Sequence, residues 1–215
     1  SFSWIGGFYY YEDDQLTHAK VLVNGGLAAN LYANQETSAY AVYIEGTLDL
    51  TEWLHLTLGG RYSSEEKHAT LNIGPGGPKV LDVTKSWNDF TPRAALRYEL
   101  SDSSSVYVSY TEGFKSGLFN AGATSTVPVE PETVTAYEVG YRYAAGGTLF
   151  SAAAFFSENK NIQANAFTPG NLQILLNAAE GEIYGAEASL SHEFNDNWKV
   201  STGGAYTHAE YKDYP

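Results

Sequence analysis

Hydrophobic and polar residues alternate with a period of two along several long segments of this chain, and no other feature constrains the fold as strongly. In residues 53–62 one parity is wholly apolar or small: Leu54, Leu56, Leu58, Gly60 and Tyr62. The other parity carries the polar and charged side chains: His55, Thr57, Gly59 and Arg61. Because successive side chains of a β-strand point to opposite faces, this pattern predicts a strand with one apolar and one polar face.

About nine segments show the same alternation, and most are long for strands of a soluble protein. They lie near 2–11, 37–50, 53–64, 88–99, 105–114, 133–143, 148–158, 181–194 and 197–210. The pattern is least clear in 148–158, because Leu149 and Phe155 fall on the polar parity.

The connections between these segments alternate between short and long. Tight-turn residues form the short ones, at 51–52, 101–104, 144–147 and 195–197, whereas the long ones cover roughly 12–36, 65–87, 115–132 and 159–180. Short turns at one end and long loops at the other are typical of an outer-membrane β-barrel. Asn24-Gly25-Gly26 and Gly74-Pro75-Gly76-Gly77 are turn signals inside two long loops, so we expect some strands to extend beyond the membrane as hairpins.

The distribution of charge favours the same all-β fold, an antiparallel transmembrane barrel segment. A basic residue on the lipid face at mid-membrane costs about 2–4 kcal/mol, and the apolar parity carries no charge in the clear stretches, such as 94–98, 106–110, 137–141 and 186–190. Aromatic residues fall toward the segment ends, where amphipathic rings meet lipid headgroups. A soluble antiparallel sheet with one wet face remains the alternative, and the unequal loops argue against it.

Composition excludes several classes of function. A net charge of −13 argues against a nucleic-acid partner, because phosphate binding needs clustered basic side chains. The absence of cysteine excludes thiolate chemistry, and no apolar run approaches the roughly 20 residues of a membrane helix. We expect no cofactor and no catalytic residue.

The polar parity predicts a network of charged side chains facing the interior of the barrel, either as an Arg/Glu ladder between strands or as a surface for a plug or solute. Its members are Glu45, Arg61, Arg93, Arg97, Glu99, Glu138, Arg142 and Glu187. We expect no metal site: the five histidines lack ligand spacing, and the acidic run 12–14 is interpreted as solvated loop in preference to a calcium site. Asp13, Asp14, His68 and His208 leave a rim-site hydrolase open as a weak alternative.

The stretch FTPRAALRYELSDSSSVYVSYTEGFKSGLFN, residues 90–120, resembles a recurrent barrel segment of TonB-dependent receptors. VEPETVTAYEVGYR (129–142), FFSENKNIQ (155–163) and Gly185-Ala186-Glu187 resemble the segments that follow it there, in the same order. The resemblance implies a barrel of about 22 strands occluded by an N-terminal plug. We therefore expect residues 1–215 to be a partial barrel domain, an internal part of a longer receptor whose plug and closing strand are not in this chain.

The same resemblance implies energised import across the bacterial outer membrane, with a scarce ligand bound by outer loops and the TonB complex pulling on the plug. A ferric siderophore is the expected ligand, and outer-membrane lipid and lipopolysaccharide are the expected surroundings. Candidate ligand-binding residues are Phe119, Asn120, Gln163, Asn165 and Phe167. A passive porin is the main alternative.

Overall fold

The alternating segments form nine antiparallel strands in a computed structural model, which describes residues 1–23, 26–120, 126–167 and 173–213. The strands are β1 (Phe2–Val23), β2 (Gly26–Asp49), β3 (Leu54–Ile73), β4 (Lys79–Ser101), β5 (Ser104–Lys115), β6 (Glu132–Ala145), β7 (Thr148–Phe167), β8 (Gln173–Asn195) and β9 (Trp198–Asp213). They make one sheet in which each strand pairs with the next in sequence. The predicted number, order and fold class are confirmed. Among the described residues, no helix is long and apolar enough to cross a membrane.

The four short connections are confirmed as tight turns, and local chemistry explains three of them. The hydroxyl of Thr51 accepts hydrogen bonds from the backbone amides of residues 53 and 54, at 3.2 and 3.0 Å. Gly146 and Gly147 have φ values of +57° and +75°, which favour glycine. The Asn195 side chain accepts hydrogen bonds from the amides of residues 197 and 198, at 3.0 and 3.1 Å.

The strand register carries the parity of each segment across the whole sheet. Leu56 is opposite Leu48 and Leu96, whereas Thr57 is opposite Thr47 and Ala95. We call the first side the apolar face and the second the polar face. Large side chains on the apolar face are exposed: Phe90 is 58% and Val139 is 55% accessible. All nine described strands lie in this one sheet, so these side chains do not meet a second sheet in a dry core.

An aromatic side chain lies on the apolar face near the outer end of the apolar stretch in every strand, where "outer" means the end opposite the short turns. This aromatic row is Tyr10, Tyr40, Tyr62, Phe90, Tyr110, Tyr137, Phe156, Tyr184 and Tyr206. Two residues farther out, each strand has a polar side chain: Glu12, Ser38, Ser64, Asn88, Glu112, Thr135, Glu158, Glu182 and His208. A boundary of this kind is typical of the membrane–water interface.

Several strands run well beyond the aromatic row, where long loops were predicted. β1 and β2 stay paired over most of 12–36, and β3 and β4 over most of 65–87. The alternation ends at the row because both faces of the outer hairpins can carry polar residues, while the backbone ladder continues regardless. Gly74 and Gly76, with φ values of +82° and +65°, confirm the expected second hairpin turn; Asn24 and Gly25 of the first lie outside the described residues.

In segment 148–158, where the alternation was least clear, most of the apolar residues lie on the apolar face as expected. These are Phe150, Ala152, Ala154 and Phe156. Phe155 is on the polar face, where its ring covers Gly185 of the neighbouring strand: a Cβ added there would lie 2.7 Å from the ring. Tyr107 covers Gly140 on the same face in the same way. A ring lying over a glycine of the neighbouring strand fixes register without filling the interior.

Candidate ligand-binding site

The outer part of the polar face has a small hydrophobic cluster above the level of the aromatic row. The described parts of the connection between β5 and β6, residues 116–120 and 126–131, lie over this face, and we call them the crossing loop. Its Phe119 is 4% exposed and packs against Trp87 of β4, with 6.1 Å between ring centroids. Residues from the outer hairpins complete the cluster: Ala33, Ala69, Leu71 and Leu81. The crossing loop therefore has a hydrophobic anchor on β2, β3 and β4.

Side-chain amides fasten the same loop to the opposite strands, β7 and β8. Asn120 donates to the carbonyl of Leu175 at 2.8 Å and accepts from its amide at 2.6 Å, so it acts as an extra strand residue beside β8. Asn177 of β8 forms the same pair of hydrogen bonds with Glu130: its side chain accepts one from the Glu130 amide at 2.7 Å and donates one to the Glu130 carbonyl at 2.9 Å. Gln163 donates to the carbonyls of Ser116 and Glu130, at 2.9 and 3.1 Å. These contacts bind both arms of the crossing loop.

A charged contact adds to the attachment on β4. The Glu130 carboxylate accepts a hydrogen bond from the Lys85 ammonium at 2.7 Å and one from the Trp87 indole at 3.3 Å. The nearby Lys85 ammonium, helped by the indole, lowers the pKa of Glu130. The carboxylate is therefore ionised at neutral pH and holds the loop through charge-assisted bonds.

A cavity of about 210 Å³ lies between the outer hairpins and the crossing loop. Its strand side is formed by the small and aliphatic residues of the cluster, and its loop side by Leu118, Phe119 and Asn120. Gln15, Thr17 and Gln35 supply polar atoms at its edge. No lining residue carries a formal charge.

The five predicted ligand-binding residues divide into two groups. Phe119, Asn120 and Gln163 have their principal contacts with the protein itself, and Phe119 and Gln163 are buried. Asn165 and Phe167 lie on the outer end of β7, and both are exposed, Phe167 by 67%. Phe119, Asn120 and Gln163 therefore hold the crossing loop in place, whereas Asn165 and Phe167 are accessible from outside.

The eight charged residues predicted to face the interior all lie on the polar face. Arg93 pairs with Glu45 across strands, and Arg97 lies 3.2 Å from Glu99. Glu138 accepts a hydrogen bond from Tyr107 at 2.6 Å, and the Arg142 guanidinium lies 5.0 Å from the centre of the same ring.

Arg61 and Glu187, the remaining two of the eight, form no ion pair with any residue that the structure describes. Arg61 lies 5.7 Å from the ring centre of Tyr9, and Glu187 is exposed beside the small residues Ala153 and Ala205. The charged residues of β2–β6 are thus held by ion pairs, hydrogen bonds and ring contacts, and an open polar concavity bordered by Tyr107 and Arg142 extends over β7–β9.

Of the residues proposed for a hydrolytic site, Asp13, Asp14 and His68 line one open depression on the outer hairpins, but the four do not come together as a set. Asp13 and Asp14, as neighbours on β1, point to opposite faces. His68 bonds Asp82 at 2.8 Å, whereas His208 lies six strands away on β9, about 29 Å at 4.8 Å per strand. Within the described ranges no three His, Asp or Glu side chains are placed to hold a metal ion.

Sequence reasoning did not identify Trp87, Glu130 and Asn177 as parts of this region. Trp87 and Glu130 come from segments expected to be irregular loop, and Asn177 lies in a stretch where polar and apolar residues do not alternate. Their contacts span 43 to 47 residues of sequence, and no local pattern encodes such pairs.

Comparison with known proteins gives independent support for an outer-membrane barrel fold. A family model described as "TonB dependent receptor-like, beta-barrel" matches residues 1–215. The pesticin receptor of Yersinia enterocolitica is 26% identical over 189 residues, which cover 86% of this chain and 28% of that protein. The ferric-pyoverdine 358 receptor of Pseudomonas putida is 30% identical over 180 residues, covering 80% of this chain and 21% of that protein.

Among solved structures, the ferric yersiniabactin uptake receptor of Yersinia pestis has the same fold, with a TM-score of 0.83 at 21% identity. The match covers 98% of this chain and 33% of that structure. The chain therefore spans between about a fifth and a third of the proteins that it resembles.

Proposed function

Because this chain belongs to the TonB-dependent receptors, as part of their β-barrel, we propose that the complete receptor imports a ferric siderophore across the bacterial outer membrane. The observation that carries the proposal is the 30% identity to a ferric-pyoverdine receptor over 80% of the chain. The fold alone does not select the ligand, since one barrel architecture can host different functions.

The architecture supports a role in transport. The apolar face and the aromatic row fit a wall embedded in lipid, and the polar face lines the interior. The crossing loop lies over the polar face and is held from both sides, so it narrows the outer opening. In this proposal residues 1–215 are one part of the barrel domain, a plug fills the interior, and the TonB complex supplies energy through that plug. The receptor acts as a transporter and not as an enzyme.

Asn165 and Phe167 are the proposed ligand contacts among the residues considered. An exposed aromatic ring and an exposed amide on the outer end of β7 offer stacking and hydrogen bonding to an incoming chelate. Gln163 acts indirectly by fixing the loop.

Uptake of radioactive iron tests the function. Cells that carry the complete receptor are supplied with ferric siderophores of the catecholate, hydroxamate and mixed classes under iron limitation. We expect at least one chelate to support growth and uptake, and deletion of the receptor or of TonB to abolish both. Uptake that continues without TonB would favour the passive porin, and unchanged growth after receptor deletion would refute the iron assignment.

The contact residues are tested in the same cells. Replacing Phe167 with alanine should weaken binding of the imported chelate by about tenfold, the effect of losing one well-placed stacking contact. The matched control is Leu16→Ala, which also changes an exposed apolar residue on the outer side, 69% accessible on β1. Equal binding by the Phe167 variant and the wild type would remove this residue from the site.

A further inference from the structure

The cavity under the crossing loop differs in chemistry from the rest of the outer polar face. The surrounding surface is rich in charge, with Asp13, Glu65, Lys67, Lys85 and Glu130 on or near it. The cavity instead is lined by aliphatic, aromatic, hydroxyl and amide side chains only. An ion that entered it would lose water without gaining an opposite charge, and such a transfer is strongly unfavourable.

The walls of the cavity are held in place by contacts that do not involve a ligand. Leu71 is 1% exposed and Ala69 is 6% exposed on the strand side. Phe119 is held by Trp87, and Asn120 by both backbone groups of Leu175. A preformed site loses little freedom when a ligand enters, and binding is correspondingly stronger.

From these observations we propose that the cavity is a binding subsite for an uncharged ring or short alkyl group carried by the imported chelate. The inference rests on the proposed function. A volume of about 210 Å³ suits one substituted ring, since an apolar cavity of about 150 Å³ is enough for benzene. The charged iron centre stays outside, and the cavity selects among chelates by their uncharged side groups.

Binding of two fluorinated probes to the purified complete receptor tests the subsite directly. Fluorobenzamide and fluorobenzoate have the same ring and nearly the same size, and only the second is charged. Fluorine NMR titration should show saturable binding of the amide and about tenfold weaker binding, or none, of the acid.

Variants place the bound probe in the cavity. Ala69→Leu fills the strand side and should weaken amide binding about tenfold or more. Gln35→Phe fills the edge from a half-buried position, and it decides the question if Ala69→Leu assembles poorly. Thr84→Leu is the control, because Thr84 is exposed on the opposite face of the same hairpin. Equal affinity for the acid and the amide, or amide binding that both filling variants leave unchanged, would overturn the proposal.

An import assay with benzamide as competitor distinguishes failure of the subsite from failure of the proposed function. Benzamide should compete with import in wild-type cells and lose that effect in the filled variants. Competition that is equal in wild-type and filled receptors would overturn the subsite while import itself stands. Failure to import any ferric chelate would overturn the proposed function, and the NMR titration would still decide whether the cavity binds an uncharged ring.

Discussion

Replacing Leu58 with arginine tests whether the apolar face contacts lipid. Leu58 is 55% exposed and lies midway between Leu54 at the short turn and Tyr62 in the aromatic row. Four residues at about 3.3 Å each, in a strand tilted by about 45°, place it roughly 9 Å below that row and inside the hydrocarbon. Arginine at this depth costs about 2–4 kcal/mol, equivalent to a 30-fold to 900-fold change in the folding equilibrium.

The matched control is Thr57→Arg on the polar face of the same strand. It removes one hydroxyl contact, the 2.8 Å bond to Thr47, and should cost only about 0.5–1.5 kcal/mol. Denaturant titration of the complete receptor refolded into lipid vesicles measures both changes, and the amount assembled in the outer membrane gives a second readout. In a soluble sheet, arginine at the exposed position 58 would change stability by about 0.5 kcal/mol or less. Equal effects of the two variants would refute the assignment of the faces.

Three further predictions concern other parts of the sheet. The pKa of His68 is raised above 6.5 chiefly by its hydrogen bond to Asp82. The stabilisation from this pair is therefore complete below pH 6.5 and is lost as the pH rises through the pKa of the folded state; it is also lost in strong acid, where Asp82 becomes protonated. Histidine NMR should show a lower pKa of His68 in Asp82→Asn, and an unchanged pKa would contradict the assigned cause. Gly140→Ala should destabilise the barrel by about 1–3 kcal/mol in a denaturant titration, because a Cβ there would lie 2.4 Å from the Tyr107 ring. A variant as stable as the wild type would show that the Tyr107 ring is not fixed over Gly140. Asn177→Leu should loosen the crossing loop and speed limited proteolysis within it at least tenfold, because both hydrogen bonds from Asn177 to Glu130 are lost. An unchanged cleavage rate would show that Asn177 does not hold the loop.

The sequence predicted the membrane-spanning part of the fold because lipid imposes a pattern on every strand. Within the hydrocarbon layer, side chains such as Leu56 must be apolar while neighbours such as Thr57 can be polar, so the two kinds alternate strictly along each strand. The number of strands, the face of each residue and the positions of the turns could therefore all be predicted. The aromatic row was anticipated only in part, since its continuity over nine strands emerges from the pairing.

The outer region was predictable to a much smaller extent. Residues 12–36 and 65–87 were expected to be mainly loops because water on both faces removes the hydrophobic alternation, although the backbone ladder persists. The contacts of Asn120 with Leu175 and of Lys85 with Glu130 join residues 55 and 45 positions apart. Such pairs depend on how the crossing loop is placed, and that placement follows from three-dimensional packing.

Spin labelling along residues 54–62 of β3 tests the central claim most directly. The chain has no cysteine, so each substitution adds one label site to it, and any cysteine elsewhere in the complete receptor is first replaced by serine. In the complete receptor, even-numbered labels should be accessible to oxygen dissolved in lipid, with a maximum near residue 58. Odd-numbered labels should be accessible to a water-soluble nickel chelate or shielded by protein. Equal accessibility at successive positions, or entry of the nickel chelate at the even ones, would contradict a sheet with lipid on one side and an aqueous or protein-filled interior on the other.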